Sequence, residues 1–399
     1  MLKSLEKKYF NKSLSKGFVR LYTGKTIVMI ATAMLGIFLP IFLYNLFNKN
    51  FQAVIIYYGL GYLFYGIVVS LGVKFLNKFG FRNALRTSVI LGMIFYIIFY
   101  FIDQNNLKYL IPFSLLISVL YRLLYWLPYH VNFAKFTNKK TRGRQVSIIE
   151  ATRSVLGVFI PLIAGLIVSY FSFDILFIIA IALYLLSGIP YLTISRTREK
   201  FVWTIRETWR QFFSKKRRKT VLAYMADGSE NIIGIVVWPI FIYQLLDGNY
   251  FKVGAISTLI IAISVITQLF LGKYMDLRVK KEKVLKWGSF LYSFGWLVKI
   301  FISTTFQLFI VGAYHSITCI FLRTPFDALT YEIAADQEHY VDEFSVLREM
   351  AIQFGRVLMA VLIILISFFF AIQWVFILAA LASMVFNLLE KKNNKIVKT

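Results

Sequence analysis

Long apolar stretches alternate with short polar segments along the whole chain. A membrane-spanning helix needs about 20 mostly apolar residues, and runs of that length recur. The pattern predicts an all-α polytopic membrane protein with twelve transmembrane helices. The predicted N-terminal helices are 26–47, 51–76, 84–102, 109–133, 146–171 and 175–194. The predicted C-terminal helices are 221–246, 253–275, 284–303, 306–334, 346–371 and 373–389.

The composition excludes a water-soluble chain. Hydrophobic residues make up 59% of it, charged residues only 16%, and Phe alone occurs 40 times. Soluble domains contain roughly 45–50% apolar and about 25% charged residues. A soluble core of this length could not bury so much apolar surface.

Basic residues concentrate in every second loop. The chain has 45 Lys and Arg against 19 Asp and Glu, a formal net charge of +26. In a soluble protein this excess would suggest nucleic acid, but here it follows the positive-inside pattern of membrane proteins. Basic segments at 3–20, 78–86, 135–144, 278–283 and 391–398 predict that both termini lie in the cytoplasm, in a plasma or inner membrane. The acidic DQEHYVDE after the tenth helix is the exception, and it is cytoplasmic by parity.

A basic segment with no membrane-length run separates the two sets of helices. In it, Phe201, Ile205, Trp209 and Phe212 recur at helical spacing with charges between them. We expect an amphipathic helix on the anionic inner leaflet, the alternative being a solvated linker. The predicted division is an N-terminal segment 1–25, a six-helix bundle 26–194, a linker 195–220, a second bundle 221–390 and a tail 391–399.

The two bundles carry an internal repeat. PIFLYNL, with Pro40 and Tyr44, returns as PIFIYQL, with Pro239 and Tyr243. Ser147 and Gly157 likewise return, with the same spacing, as Ser345 and Gly355. The repeat predicts two parallel six-helix halves, an arrangement typical of transporters.

Local motifs add a resemblance to the major facilitator superfamily. Its loop signature after the second helix corresponds to GVKFLNKFGFR, in which Asn77 replaces the usual acid while Lys78 and Arg82 fit. The second copy, GKYMDLR, contains Asp276 and Arg278 at the family spacing. The run GVFIPLIAG resembles the Gly/Pro-rich signature of antiporters, which hints at export. The resemblance implies that the first, fourth, seventh and tenth helices line a central cavity.

Two acids in the seventh helix are the first candidate site. Placing an ionisable residue in a spanning helix costs free energy, so we expect each such residue to have a functional or structural role. Asp227 and Glu230 are three residues apart and share one helical face. They are interpreted either as a proton- or cation-coupling pair or as salt-bridge partners of basic residues on the fourth or tenth helix.

The fourth and tenth helices supply further candidates. Arg122 and Arg323 lie at mid-depth in opposite halves. They would either grip an anionic substrate or neutralise the acids. The other candidates at this cavity are Tyr129, His130 and Asp327. Neither the three His nor the single Cys has the spacing of a metal site, and no cofactor is expected.

The resemblance also implies an inner gate built from ion pairs between the halves. Its candidate residues are Asn77, Lys78, Arg82, Glu150, Arg153, Asp276, Arg278, Arg348, Glu349 and Arg356. Static pairing between helices is the alternative interpretation.

The predicted function is secondary active transport of a small solute by alternating access, with proton coupling and export as further expectations. No phosphate-binding P-loop motif occurs, which argues against ATP drive within this chain. An integral-membrane enzyme and a non-transporting receptor or scaffold are the alternatives. The expected partners are the solute, protons or another coupling ion and anionic lipids, without nucleic acid, and the expected state is a monomer.

Overall fold

The computed structural model describes residues 14–137, 142–195, 201–275, 281–335 and 341–389, and every regular element in these ranges is helical. The N-terminal half comprises α1 Lys16–Leu35, α2 Phe38–Leu46, α3 Phe51–Phe79, α4 Phe81–Phe101, α5 Leu107–Phe136, α6 Arg142–Tyr170 and α7 Phe173–Leu192. The linker contains α8 Ile205–Phe212. The C-terminal half comprises α9 Arg218–Ile232, α10 Trp238–Leu245, α11 Tyr250–Met275, α12 Lys281–Val298, α13 Thr305–Ala335, α14 Val341–Ser367 and α15 Phe376–Val385.

Ten helical segments within the described ranges are long and apolar enough to cross a membrane. Helix α12 and the shorter apolar segment Ile372–Leu388, which contains α15, are not among them. They occupy the places of the ninth and twelfth predicted helices, so the count of twelve spans stays a prediction. Helix α1 begins at Lys16, ten residues before the predicted start at Thr26, because the basic residues near its start alternate with apolar ones that pack inward.

The first and seventh predicted spans are each interrupted just before the repeated proline. Gly36 separates α1 from α2, and its N–H turns back to the Ala33 carbonyl at 3.1 Å. Between α9 and α10 a π-helical turn spans Ile233–Val237. Pro40 and Pro239 lack the N–H that would continue the helical ladder, which accounts for an irregular turn at both places.

Among the described residues, two helix pairs form the most extensive contacts between the halves. Helix α3 packs on α14, and α6 packs on α11. The bundle end near α8 is called the linker end below, and the end with the α2–α3 and α10–α11 turns is called the far end. Near the far end Gly165 faces the Tyr250 carbonyl and Gly254 faces the Pro161 carbonyl, so α6 and α11 cross there without a side chain between them.

The C-terminal half has its tightest crossing between α9 and α14. A Cβ atom on Gly228 would collide with the Ile352 carbonyl, and one on Gly355 would collide with the Met225 carbonyl. The Ser229 hydroxyl also donates to the Gly355 carbonyl at 2.9 Å. This contact fixes the part of α9 that carries Asp227 and Glu230.

Candidate functional site

The two acids of α9 share one arginine in the protein interior. Arg323 on α13 donates one Nη to Asp227 Oδ1 and the other to Glu230 Oε2, the second at 2.6 Å. Asp227 is 6% exposed and Glu230 is 3% exposed. Tyr292 donates its hydroxyl to the second oxygen of Glu230 at 2.6 Å. Of the two interpretations of Arg323, the geometry therefore supports the one in which it neutralises the acids.

A buried lysine lies beside this cluster. The Lys299 ammonium is 3.8 Å from the ring centroid of Trp238 and 3.7 Å from that of Trp296, and the residue is 2% exposed. His315 stacks on Tyr292 with ring centroids 4.1 Å apart, and its Nδ1 has no hydrogen-bond partner within the described residues. The sequence pattern did not single out Lys299, although it is a charged residue inside a predicted span, which is the signal that identified the acids.

Arg122 lies apart from the acids that it was expected to balance. Its guanidinium carbon is 4.9 Å from the ring centroid of Tyr62 on α3. Arg356, which reaches the same ring from α14, is 4.7 Å from the centroid. Arg122 thus shares the Tyr62 ring with Arg356, whereas Arg323 binds the two acids. The sequence pattern placed Arg356 with the gate residues rather than with Arg122, because it does not show that α14 faces α3.

Tyr129 and His130 belong to an aromatic group around a second buried lysine. The Lys25 ammonium, on α1, is 4.4 Å from the Trp126 ring centroid and 4.9 Å from that of Tyr129. His130 stacks on Trp126 with centroids 6.0 Å apart. These residues lie in the N-terminal half, and none of their described contacts joins them to Arg323. Asp327 is exposed, and no ion pair to it occurs within the described residues.

The residues assigned to an inner gate are only partly brought together. Glu150 pairs with Arg153 at 2.9 Å on its own helix, and their side chains are 48% and 59% exposed. Glu349 accepts from Gln353 at 3.3 Å, again on its own helix, and Arg348 lies 5.7 Å from the Tyr224 ring centroid. None of these contacts links the two halves. Lys78 is exposed and Arg82 lies in the first turn of α4, while Asp276 and Arg278 fall outside the described residues.

Asn77 instead binds the linker. Its side chain exchanges two hydrogen bonds of 2.9 Å with the backbone of Phe201. The next residue, Val202, donates its N–H to Glu343 on α14 at 2.7 Å. One extended stretch of linker is therefore held by both halves at once.

Helix α8 is amphipathic as predicted, but its apolar side contacts protein. The rings of Trp209 and Phe212 both lie 5.8 Å from the ring of Phe354 on α14. The hydrogen bond from Gln211 and the adjacent Arg210 hold the pKa of Glu207 below its usual value, which keeps the polar side charged. Contact of that side with anionic lipid stays a prediction.

At the far end the halves are joined by side-chain hydrogen bonds. Asn45 donates to the hydroxyls of Tyr243 and Tyr250, at 3.1 and 2.8 Å. In return, Gln244 donates to the hydroxyl of Tyr44 at 2.8 Å. In the described part of the chain, exposed acids and bases at the linker end pair within their own half, as Glu150 does with Arg153 and Lys281 does with Glu332. The bundle is thus closed by direct contacts at the far end.

The described residues contain no group of three or more His, Cys, Asp or Glu side chains that could hold a metal ion. The cluster consists of buried acids, arginines and aromatic rings. These side chains can carry charge and can change their ion-pair and hydrogen-bond partners. Among them there is no nucleophile beside a general base.

Comparisons with known proteins point to one family. The chain matches the family model described as Major Facilitator Superfamily over residues 21–246. It is 22% identical over 363 residues to the uncharacterized protein YqgE of Bacillus subtilis (strain 168), covering 89% of this chain and 79% of that protein.

Solved structures share the fold. A peptide transporter POT in complex with sulfate superposes with a TM-score of 0.68 at 12% identity, covering 94% of this chain and 93% of the other. A POT family transporter in complex with 5-aminolevulinic acid gives a TM-score of 0.67, also at 12% identity, with coverages of 94% and 95%.

Proposed function

The chain belongs to the major facilitator superfamily of membrane transporters, and on that premise we propose that it moves a small solute across the membrane by alternating access, coupled to a proton or another cation. Family membership confirms the prediction of a transporter rather than an enzyme. It also disfavours the receptor or scaffold alternative.

The observation that carries the proposal is the sharing of Arg323 by Asp227 and Glu230. Two carboxylates a helical turn apart oppose each other's ionisation, and one guanidinium between them offsets the charge of only one. A proton or cation at one carboxylate would complete the charge balance among the groups in direct contact, because Lys299 lies nearby without a described ion pair to either acid. Since α9 and α13 correspond to cavity-lining helices in the resemblance, a change in the charge of the cluster can alter how the halves meet.

Alternating access is supported by the uneven contacts between the halves. At the far end the halves are joined by hydrogen bonds that link Asn45 and Tyr44 to residues of α10. At the linker end Glu150 and Arg153 are exposed and pair with each other on α6. These two residues lie on the side of α6 that also bears Gly157 and Pro161. Opening the far end requires these hydrogen bonds to be exchanged for water. We assign the far end to the outer face of the membrane, following the charge pattern of the loops.

The Gly/Pro-rich run of α6 packs directly on α11. The run that hinted at export contains Pro161 and Gly165, and both lie at the close crossing with α11. Close packing of α6 on α11 is sufficient to explain a proline and a glycine at these two positions.

The test uses purified protein in liposomes that contain a trapped pH indicator. Amino acids, dipeptides, monocarboxylates and sugars are added outside, and the internal pH is followed. We expect at least one class to change the internal pH, with the response lost in Asp227→Asn and Glu230→Gln and kept in Glu282→Gln, which alters an exposed acid. An internal pH response that is identical in all four proteins would refute coupling at this cluster, and the absence of a protein-dependent pH response to every solute would refute proton-coupled transport.

A further inference from the structure

One tyrosine is approached by arginines from both halves of the protein. Arg122 on α5 and Arg356 on α14 lie 4.9 and 4.7 Å from the ring centroid of Tyr62, which itself is 3% exposed. All three residues are near the middle of their helices, Leu107–Phe136, Val341–Ser367 and Phe51–Phe79. The group therefore lies deep in the bundle, at the seam between the halves.

Within the residues that the structure describes, neither guanidinium group has an acidic partner. Arg356 donates to the side-chain oxygens of Asn231 and Gln353, at 2.6 and 3.1 Å, and both acceptors are neutral. Its Nε is buried without a hydrogen bond within the described residues. For Arg122, the described part of the chain offers the Tyr62 ring but neither a hydrogen bond nor an ion pair. Arg323, by contrast, binds two carboxylates.

A cation far from bulk water is costly without an anion, and a ring face offsets only part of that cost. Two such cations at one ring, from different halves, leave a net positive site. The neutral acceptors Asn231 and Gln353 fix the orientation of Arg356 without neutralising it, so its charge remains available to a ligand.

We propose that Arg122 and Arg356 bind the carboxylate of an organic solute between the two halves, with Tyr62 positioning both guanidinium groups; this deepens the proposed function by naming the substrate class. The planar guanidinium fork matches the two oxygens of a carboxylate. The Tyr58 ring packs beside Tyr62 with centroids 6.1 Å apart, and the Tyr57 ring packs on Tyr58 at 5.6 Å, so the rest of the solute would lie next to an aromatic cluster. Lipid headgroups are excluded by depth, since the group is about half a helix length, roughly 20 Å, from either end of α5.

The site also adjoins the acid cluster. Asn231, which holds Arg356, follows Glu230 directly in α9. A carboxylate that draws Arg356 toward Arg122 would pull on the segment of α9 that carries the coupling acids. Solute binding and the charge of the acid cluster are therefore mechanically connected.

The test measures equilibrium binding to the full-length protein in detergent, with acetate, benzoate and N-acetylphenylalanine as probes and the neutral amide of each as its control. We expect at least one carboxylate to bind while its amide does not. Arg122→Gln and Arg356→Gln should each weaken that binding roughly ten- to a hundred-fold, as for a lost charge-assisted hydrogen bond. Lys252→Gln, which removes an exposed positive charge, should leave it unchanged.

Arg122→Lys provides a second variant in case the glutamine forms do not fold. Lysine keeps the positive charge but lacks the two parallel N–H donors of the guanidinium group, so we expect binding of intermediate strength. Equal binding of carboxylate and amide by wild type, no binding of any probe, or full binding in the arginine variants would each overturn the proposal. Because no gradient is involved, a protein that binds carboxylates and transports nothing would refute the proposed transport and leave this site intact.

Discussion

Asn77 and Phe201 form a two-way hydrogen-bonded pair, in which the amide donates to the Phe201 carbonyl and accepts from the Phe201 N–H, each over 2.9 Å. A carboxylate could accept the N–H but could not donate to the carbonyl. The family signature has an acid at this position, so the replacement by Asn has a structural reason in this chain. The amide is the group that holds the linker.

Asn77→Asp should therefore loosen the linker although it restores the family signature. The lost donor leaves the Phe201 carbonyl without its partner, and the adjacent Val202–Glu343 bond loses its support. We expect faster tryptic cleavage between Phe201 and Arg218 and faster hydrogen exchange at Phe201 and Val202. The matched control is Asn83→Asp, since Asn83 is exposed and its described side-chain hydrogen bond goes to the Phe79 carbonyl at the end of α3, not to the linker. Equal protection in both variants would contradict the role of Asn77.

A double-mutant cycle measures how strongly Asp227 and Arg323 stabilise each other in the acid cluster. Asp227→Asn leaves Arg323 paired with one acid, Glu230. Arg323→Gln leaves both buried acids without their shared arginine. Breaking a buried pair costs about 3–5 kcal/mol, so Arg323→Gln should lower the thermal midpoint more than Asp227→Asn does. The double variant should be more stable than Arg323→Gln alone. Additive losses of stability across the cycle would show that the two residues do not interact.

Gly355 and Gly157 occupy matching places in the repeat and should respond differently to alanine. A Cβ on Gly355 collides with the Met225 carbonyl, but one on Gly157 meets only Ile261 Cγ2, at an ordinary 3.6 Å. Gly355→Ala should destabilise the protein by about 1–3 kcal/mol or more through overpacking. Gly157→Ala should be nearly neutral. Thermal unfolding of the two variants in detergent decides the matter, and a loss of similar size in both would be evidence against the α9–α14 crossing.

Lys299 should tolerate an apolar replacement. The described residues place two tryptophan rings against its ammonium and no acid within salt-bridge distance. Replacing a buried charge by an apolar side chain of similar shape is often neutral or stabilising. Lys299→Met should therefore keep or raise the thermal midpoint, while Lys299→Gln, which stays polar, should lower it. Clear destabilisation by Met would mean that the charge itself is needed for folding.

The orientation in the membrane is open to direct test. With Cys319→Ser as background, a cysteine at Asn105, which is exposed at the far end, should react with an impermeant thiol reagent from outside intact cells. A cysteine at Arg210 on α8 should react only after permeabilisation. The reverse pattern would place the linker outside.

The sequence predicted the helical class from apolar length, and it predicted the family from the internal repeat and the loop motifs. Asp227 and Glu230 face the same way on any regular helix, so their proximity needed no tertiary knowledge. Arg356 and Tyr62 could not be paired in this way, because their contact depends on how α14 crosses α3. The inner-gate network was likewise inferred from analogy, and Glu150 pairs within its own helix instead.

The hydrogen bonds at the far end resemble those of a symmetric dimer interface, except that both partners belong to one chain. Tyr44 meets Gln244, and Tyr243 meets Asn45, so each half offers a tyrosine followed by an amide and receives the same pair in return. Such reciprocity is the mark of an isologous contact between two identical subunits. An ancestral single half could have closed its far end by pairing with a second copy through one set of residues. Gene fusion would then have preserved the contact while freeing the two mid-depth arginines, Arg122 and Arg356, to arise at unrelated positions in the two halves.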